Sequence, residues 1–274
     1  MAYIATLSKT KEILEEFGLK AKKKYGQNFL IDANIVSKIA KYACDKDTIS
    51  VEIGPGIGSL SEFLALNSAY VYAHEIDESL LPLLDKTLEK YDNIEIIPGD
   101  FLNVDFEKMP YFDKEIVVCA NLPYYITTAI LFHIITSKLK IKRIVIMVQK
   151  EVGDRFKAKP CTKDYNALSI ILQSRFDIKP VTNVSRHLFY PAPKVDSIVI
   201  SFERKKEPLY IDEKLVKTAF NMRRKTLYNN LKEVYPQDVI TALYKELGLK
   251  DDVRAEALDL NTFAKMSEVL KDVV

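Results

Sequence analysis

The chain has 274 residues, of which 48% are hydrophobic, and it carries 40 Lys and Arg against 38 Asp and Glu. This composition excludes a disordered chain and a collagen-like repeat, and the length suffices for a large domain with or without a small one. No apolar run approaches the ~18 residues that a membrane-spanning helix needs, and no stretch at the N-terminus is of the signal-peptide type, so we expect a cytoplasmic protein.

From residue 48 to about residue 150, short apolar segments alternate with helical patterns, which predicts an α/β fold with a mostly parallel sheet. The strand-like segments are almost continuously apolar, as strands covered on both faces should be. They are ISVEIG, AYVYAHEID, NIEIIPGD, EIVVCANL and RIVIMVQ. The helical segments between them are SLSEFLALN, ESLLPLLDKTLEKY and TTAILFHIITSKL.

After residue 164 the pattern predicts another helix, YNALSIILQSRF, and then a terminal hairpin from the segments KPVTNVS and VDSIVISFE that joins the sheet. From Pro208 onward the pattern is helical throughout. The segments are DEKLVKTAFNMRRKTLYNNL, PQDVITALYKELGL and LNTFAKMSEVLKDV. With ERKKEP as the linker, we predict a first domain over residues 1–205 and a small helical domain over residues 206–274.

The net charge of +2 hides an uneven distribution along the chain. Residues 1–50 carry nine basic and six acidic side chains, and residues 51–150 carry nine and fourteen. Residues 151–208 then carry eleven and seven, and the remainder is balanced at eleven each. An acidic middle between basic segments fits a cofactor domain edged by a polyanion-binding surface, and it fits ordinary variation among solvated faces equally well.

A cluster of glycines marks the first candidate site. Three of the eight glycines lie within the segment EIGPGIG (residues 52–58), after a predicted strand and before a predicted helix. Glycines there let the backbone approach a ligand where a side chain would collide. The spacing differs from the G-x-G-x-x-G dinucleotide fingerprint, and a purely steric role in a tight turn is the alternative.

Polar residues follow the next predicted strands, at the sheet edge where ligands of open α/β sheets bind. Glu75 is placed to accept both hydroxyls of a ribose, and Asp77 is the less direct candidate. Asp100 is placed to accept an adenine amino hydrogen, and Asn121 would line the reaction centre. Each acidic residue alone is more often a helix cap or a solvated turn than a binding residue, but their occurrence at consecutive strand ends favours a binding site.

The segment ANLPYY carries the most specific chemical signal. An exocyclic adenine amine is a poor nucleophile because its lone pair is delocalised into the ring. The side-chain oxygen of Asn121 and the carbonyl of Leu122, held out by Pro123, can both accept hydrogens from such an amine, which localises the lone pair toward an electrophilic methyl group. Tyr124 offers a face for the target base to stack on. The alternative is a Pro-stabilised turn with a core tyrosine.

Six segments spread over nearly the whole chain carry a family resemblance: KKYGQNFLID, VEIGPGIGSLS, ANLPYYITT, MVQKEVGDR, FYPAPKVDSIV and FNMRRKTLYNNL. They resemble the small-subunit ribosomal RNA adenine dimethyltransferases, which are class I methyltransferases that use S-adenosylmethionine. The resemblance implies a Rossmann-like sheet of seven mostly parallel strands with a small C-terminal all-α domain. It also implies dimethylation at N6 of two adjacent adenosines in a hairpin loop near the 3′ end of 16S rRNA, with a role in ribosome assembly.

The resemblance also implies roles for single residues. Those at the cofactor are Asn28 and Leu30 above it, Gly54 under its methionine part, Glu75 at the ribose, Asp100 at the adenine and Asn121 between methyl donor and target. Phe189 is a candidate second stacking face for the target adenine, or an edge-strand aromatic beside prolines. Tyr125 stands where many relatives have Asn, and we infer no change in chemistry from it. The cationic cluster predicted to contact RNA phosphates is Arg223, Arg224 and Lys225.

These inferences predict direct in-line displacement of the methyl group from S-adenosylmethionine, with S-adenosylhomocysteine as product and no metal. We expect the protein to be a monomer. Its expected partner is 16S rRNA within an immature small ribosomal subunit. Three alternatives stay open at this point. They are a large-subunit (23S) rRNA adenine N6-methyltransferase of the macrolide-resistance type, a non-catalytic ribosome assembly factor, and an NAD-dependent dehydrogenase, which leaves the NLPY segment without a purpose.

Overall fold

The protein is described here as a computed structural model that covers residues 3–123 and 125–271. The chain forms two compact units. The first comprises Met1–Gly153 and Lys179–Glu203, and the second comprises Asp154–Ile178 and Arg204–Val274. No helix in the described part of the chain is both long enough and apolar enough to cross a membrane.

The described residues form strands at nine places. These are β1 (Phe29–Leu30), β2 (Ile49–Ile53), β3 (Tyr70–Glu75), β4 (Ile94–Pro98), β5 (Glu115–Asn121), β6 (Lys140–Gln149), β7 (Phe176–Val184), β8 (Phe189–Tyr190) and β9 (Ser197–Arg204). Seven of them form one sheet in the order β4-β3-β2-β5-β6-β9-β7, and β1 pairs with β8 in a separate antiparallel ribbon.

The helices of the described residues precede, connect and follow these strands. They are α1 (Leu7–Glu16), α2 (Ala33–Ala43), α3 (Ser59–Asn67), α4 (Leu81–Leu88), α5 (Thr127–Ile135), α6 (Lys150–Phe156), α7 (Ala167–Arg175), α8 (Glu213–Ala219), α9 (Leu227–Leu231), α10 (Gln237–Leu247) and α11 (Leu260–Val269). Helices α1 and α2 are absent from the sequence prediction, although α2 is amphipathic and is capped by Asp32, whose side chain accepts a hydrogen bond from the Ile35 N–H.

The strand order reverses in the middle of the sheet and so creates a crevice. From β2 the chain proceeds outward to β3 and β4 on one side, and from β5 it proceeds to β6 on the other side. All the pairs from β4 to β6 are parallel, and β9 pairs antiparallel with β6. The predicted seven-stranded, mostly parallel sheet is therefore confirmed, and its ligand site is expected at the carboxyl ends of β2 and β5, where the order reverses.

Burial of apolar side chains explains why β5 lies in the centre of the sheet and β4 at its edge. Five consecutive residues of β5 are buried, whereas in β4, at the edge of the sheet, each residue keeps some exposure. The buried faces of α2 and α3 pack on the sheet through Val36, Ile39 and Leu64. A second core cluster joins α1 to α4 through Ile13 and Leu84. This burial supplies the main stabilisation of the first unit.

The second unit differs from the predicted domain boundary at residue 205, because it also contains residues 154–178. Polar contacts explain this grouping. The Tyr165 hydroxyl donates to the Leu258 carbonyl at 3.0 Å, and Arg175 forms an ion pair with Glu213 at 2.7 Å. Helix α7 therefore packs with the C-terminal helices, a long-range contact that the local sequence pattern does not indicate.

The predicted continuous helix over residues 212–231 is wrong, because the chain turns between α8 and α9. The side chain of the buried Asn230 stabilises this turn. It donates to the carbonyls of Ala219 and Met222 and accepts from the Met222 N–H. Thr226 then caps α9 by accepting from the Asn229 N–H. The predicted RNA contacts Arg223, Arg224 and Lys225 are exposed on this turn rather than on a helix.

Candidate active site

A cavity opens in the first unit at the carboxyl ends of the central strands. Its lining comes from the turn after β2, the ends of β3 and β5, and residues 25–30. We call residues 22–30 the covering segment. The cavity therefore lies at the reversal of strand order, where ligands of open α/β sheets bind.

The glycine turn leaves one wall of the cavity free of side chains. Gly54 lies in the left-handed region at φ +72°, which favours glycine. A β-carbon built on Gly54 meets no atom within 4 Å, so the space beside its backbone is open. A ligand can therefore contact this backbone directly, as the sequence predicts for the methionine part of the cofactor.

Glu75 ends β3 beside this turn, and only 3% of its surface is exposed. Its two carboxylate oxygens accept from the Gly56 N–H at 3.1 Å and the Asp77 N–H at 2.7 Å. Burial raises the pKa of this carboxyl above its ordinary value, in spite of these hydrogen bonds. Because each carboxylate oxygen has a second lone pair, the fixed Glu75 side chain can accept two further hydroxyls.

Glu52 is a cavity residue that the sequence analysis did not assign. It lies on β2 and lines the cavity, with 1% of its surface exposed, and its Oε2 has no hydrogen-bond partner. Burial raises its pKa to about 8. An ionised carboxylate buried this deeply is costly unless a ligand pairs with it. The signal available in the sequence was an acidic residue inside an apolar strand, two positions before the first glycine of the cluster.

Asn121 ends β5 at the cavity and is held by the covering segment. Its Nδ2 donates to the backbone carbonyl of Asn28 at 3.1 Å, and the Asn28 side chain donates to the Gly26 carbonyl at 2.9 Å. This arrangement fixes the Asn121 amide, and its Oδ1 is then the atom that can accept from a ligand. Asn28 and Asn121, predicted from separate motifs, are thus in direct contact.

The rest of the NLPY segment extends the end of β5. The Leu122 N–H donates to the Met147 carbonyl at 3.2 Å, which continues the pairing with β6 for one more residue. Pro123 accepts from the Ile126 N–H, also at 3.2 Å, so the chain turns here. Leu122 and Pro123 both line the cavity. Tyr124 lies outside the residues that the structure describes.

Two predicted residues do not line the cavity. Asp100 caps the turn after β4 and accepts from the Leu102 N–H at 3.0 Å, which is the helix-cap alternative for this residue. Phe189 pairs with Leu30 in the β1–β8 ribbon. Leu30 lines the cavity, but Phe189 is 3% exposed within the core. In this arrangement Phe189 presents no open ring face, in agreement with its packing alternative.

Asp77 joins the covering segment to the end of β3. Its carboxylate accepts from Lys22 Nζ at 2.7 Å and from Gln27 Nε2 at 2.9 Å, and Gln27 Oε1 accepts from the Lys22 N–H at 2.8 Å. Burial opposes ionisation of Asp77, but hydrogen bonds led by that from Lys22 outweigh it and hold its pKa below the usual range. Asp77, the weaker candidate for the ribose, thus ties the covering segment to the end of β3. We call its contacts with Lys22 and Gln27 the latch.

We expect Asp77→Asn to open this latch. Charge-assisted hydrogen bonds contribute about 1.5–3 kcal/mol each, so amide exchange in residues 22–28 should accelerate by about 10- to 100-fold. Hydrogen–deuterium exchange with mass spectrometry measures this, and Asp85→Asn on the exposed face of α4 is the control. Because the Asp77 pKa is lowered, its stabilisation is present above pH 3.8 and is lost as the pH falls further. Unchanged exchange at pH 7 would contradict the latch.

Comparison with known proteins identifies the family. The model of the family "Ribosomal RNA adenine dimethylase" matches residues 18–272. A Bacillus cytotoxicus protein named ribosomal RNA small subunit methyltransferase A is 43% identical over 286 residues, covering 98% of each chain. A Streptococcus thermophilus protein of the same name is 44% identical over 285 residues, again with 98% of each chain covered.

Solved structures agree with this match. A dimethyladenosine transferase from Plasmodium falciparum superposes with a TM-score of 0.74 at 27% identity, over 88% of this chain and 97% of its own. A 23S rRNA methyltransferase superposes with a TM-score of 0.65, also at 27% identity, over 89% of this chain and all of its own. The chain belongs to the ribosomal RNA adenine dimethylase family.

Proposed function

We propose that this protein transfers methyl groups from S-adenosylmethionine to N6 of two adjacent adenosines in the 3′-terminal hairpin loop of 16S rRNA. The product is N6,N6-dimethyladenosine, and the role is in small-subunit biogenesis. The observation that carries the proposal is the fixed amide of Asn121 in a cavity that also holds Gly54, Glu52 and Glu75. Identity of 43–44% to small-subunit methyltransferases supports this substrate over large-subunit RNA.

The residues of the cavity fit S-adenosylmethionine, which when bound supplies an electrophilic methyl group. Gly54 leaves open space for its amino-acid part. Glu52 has a buried, unpartnered oxygen that suits its α-ammonium. Glu75, held by two N–H donors, suits the ribose hydroxyls. Asp100 remains the proposed partner of the adenine, and it is brought close to this edge because the Gly99 N–H donates to the Glu75 carbonyl at 2.8 Å.

Asn121 is the proposed catalytic residue. With Nδ2 held by Asn28, its Oδ1 accepts one hydrogen of the target amine, and the Leu122 carbonyl accepts the other. These two acceptors draw the nitrogen toward tetrahedral geometry and direct its lone pair at the methyl group. No strong base is needed, because the nitrogen becomes acidic once it is alkylated. Tyr124 stays a proposed stacking face for the target base.

The helical C-terminal domain, residues 206–274, is proposed to bind RNA through the turn between α8 and α9. Arg223, Arg224 and Lys225 are exposed there, with Lys225 Nζ 4.0 Å from the exposed Glu233. The buried Asn230 fixes the backbone of this turn. Cations on a fixed turn lose less freedom on binding than cations on a flexible tail, so they suit phosphate contacts within a folded ribosomal particle.

Charge reversal of this turn should weaken the binding of immature small subunits. In the Arg223→Glu, Arg224→Glu, Lys225→Glu variant we expect the slope of log K against log salt to fall by up to about 2–3, because each phosphate contact adds about 0.7–0.9. Reversing the exposed Lys245, Lys250 and Lys265 makes the same charge change elsewhere in the second unit. Filter binding over a salt series compares the two, and equal slopes would place the RNA contact outside the turn.

The function is tested by transfer of tritiated methyl groups from S-adenosylmethionine into immature small subunits. Mass mapping of rRNA from a deletion strain then locates the product. We expect label in the small subunit, and loss of two adjacent N6,N6-dimethyladenosines near the 3′ end of 16S rRNA. Loss from 23S rRNA would assign the protein to the large-subunit group. Binding to small subunits without any transfer would indicate an assembly factor.

A further inference from the structure

Tyr125 is an exposed aromatic residue that the proposed mechanism leaves unused. At 67%, it has the highest exposure among the large hydrophobic side chains exposed in the described residues. It lies in the turn that joins β5 to α5, four positions after Asn121. Because the ring is exposed close to the cavity, one of its faces is available for a planar group to stack on.

The ring of Tyr125 is not free to lie anywhere, because it rests against the covering segment. A β-carbon built on Gly26 would lie 3.6 Å from Tyr125 Cε1 and 3.3 Å from Pro123 Cβ. Gly26 adopts φ +60°, in the region that favours glycine. The absent side chain thus lets the covering segment, Pro123 and the Tyr125 ring lie close together at the cavity.

The two residues before Gly26 bring a second ring and a cation. Tyr25 lines the cavity, and Lys24 Nζ lies 4.3 Å from the centroid of its ring. Lys24 itself is exposed. Aromatic rings beside an exposed cation are what single-stranded nucleic acid requires, since bases stack on the rings and the cation attracts the backbone phosphate.

We propose that Tyr125, together with Tyr25 and Lys24 of the covering segment it lies against, forms a stacking platform for the unpaired base next to the target adenine. The inference rests on the proposed function. When one of two adjacent adenosines enters the cavity, its neighbour must lie just outside, where the Tyr125 ring is exposed. Tyr125 is thus a residue for substrate binding and not for the cofactor, and its contribution should fall on the affinity for RNA.

The test compares Tyr125→Asn with Tyr125→Phe in methyl transfer to immature small subunits. Loss of a stacked base corresponds to about 5- to 150-fold in affinity. We therefore expect Tyr125→Asn to raise KM for the subunits by that factor, with the affinity for S-adenosylhomocysteine unchanged. Tyr125→Phe keeps the ring and should stay within about twofold of the parent. Tyr3→Asn removes an exposed ring, 46% accessible, that does not line the cavity, and should leave KM unchanged.

Each possible outcome supports or overturns the proposed stacking platform. A parental KM in Tyr125→Asn would overturn the platform while leaving the proposed function intact. Weaker binding of S-adenosylhomocysteine in Tyr125→Asn would also overturn it, because the ring would then support the cofactor. If the parent protein transfers no methyl group to small subunits, the proposed function fails and the platform fails with it.

Discussion

We expect Asn121→Ala to abolish methyl transfer while the affinity for S-adenosylhomocysteine stays within a few-fold of the parent. The Asn121 amide is fixed through Nδ2 to the Asn28 carbonyl, so Oδ1 is a preorganised acceptor, which we propose faces the target amine. Removing one such preorganised group typically lowers kcat by about 100- to 1,000-fold. Single-turnover transfer and calorimetric titration of S-adenosylhomocysteine measure the two effects separately.

Asn121→Asp is the matched control for this prediction. It keeps an acceptor oxygen but loses the donor to Asn28, so we expect activity between those of the parent and the alanine variant. If Asn121→Ala instead loses S-adenosylhomocysteine binding by more than about tenfold, its main role is to hold the covering segment. Equal activity of parent and alanine variant would remove Asn121 from the mechanism altogether.

The second large effect is expected at Glu52, which the sequence analysis missed. Burial raises the pKa of Glu52 to about 8, against an ordinary 4.5, so between these pH values the folded state holds a proton that the unfolded state has lost. The contribution of Glu52 to the free energy of unfolding therefore decreases as the pH rises from 4.5 to 8, by on the order of 5 kcal/mol, and is constant above that. Glu52→Gln should flatten this dependence in thermal unfolding.

The proposed pairing of Glu52 with the cofactor ammonium requires the ionised form of Glu52. S-adenosylhomocysteine should therefore bind the parent more tightly as the pH rises toward 8, by up to about tenfold per pH unit. Glu52→Gln should remove this dependence and weaken binding at pH 8 by about 10- to 100-fold, because a charged hydrogen bond is lost. Calorimetric titration between pH 6 and pH 8.5 measures both effects.

Glu62 offers the matched control, since it is also 1% exposed and lies in the same unit. Its carboxylate is paired with Lys90 at 2.9 Å and accepts from the Ile4 N–H, and it does not line the cavity. Glu62→Gln should lower the melting temperature without altering S-adenosylhomocysteine affinity or its pH dependence. A similar loss of affinity in both variants would mean that Glu52 acts only through stability.

The sequence predicted the sheet well because hydrophobic periodicity and glycine turns are local signals. All five predicted parallel strands and the two strands of the terminal hairpin are present, and α3 spans the predicted SLSEFLALN. Asn28 and Asn121, predicted from motifs 93 positions apart, meet through a hydrogen bond. The family motifs indicated both residues, although the contact between them forms only in the folded chain.

What the sequence did not reveal depends on burial and on long-range pairing. Nothing local distinguishes Asp77 as a latch, because Lys22 and Gln27 lie 55 and 50 positions away. The break between α8 and α9 follows from the buried Asn230 side chain, which satisfies backbone groups that a continuous helix would have paired internally. Phe189 likewise lies in the core, next to its strand partner Leu30, a pairing between distant parts of the chain.

The β1–β8 ribbon has a consequence for how the protein is made. Leu30 pairs with Phe189 and Phe29 pairs with Tyr190, so the two strands come from opposite ends of the first unit. During synthesis β1 emerges first, and about 160 further residues are translated before its partner β8 emerges. Closing so long a loop is slow and entropically costly, and it comes late. A nascent chain released before residue 189 would therefore contain the five parallel strands β2 to β6 but lack β9 of the sheet and also β8, the strand that pairs with the end of the covering segment.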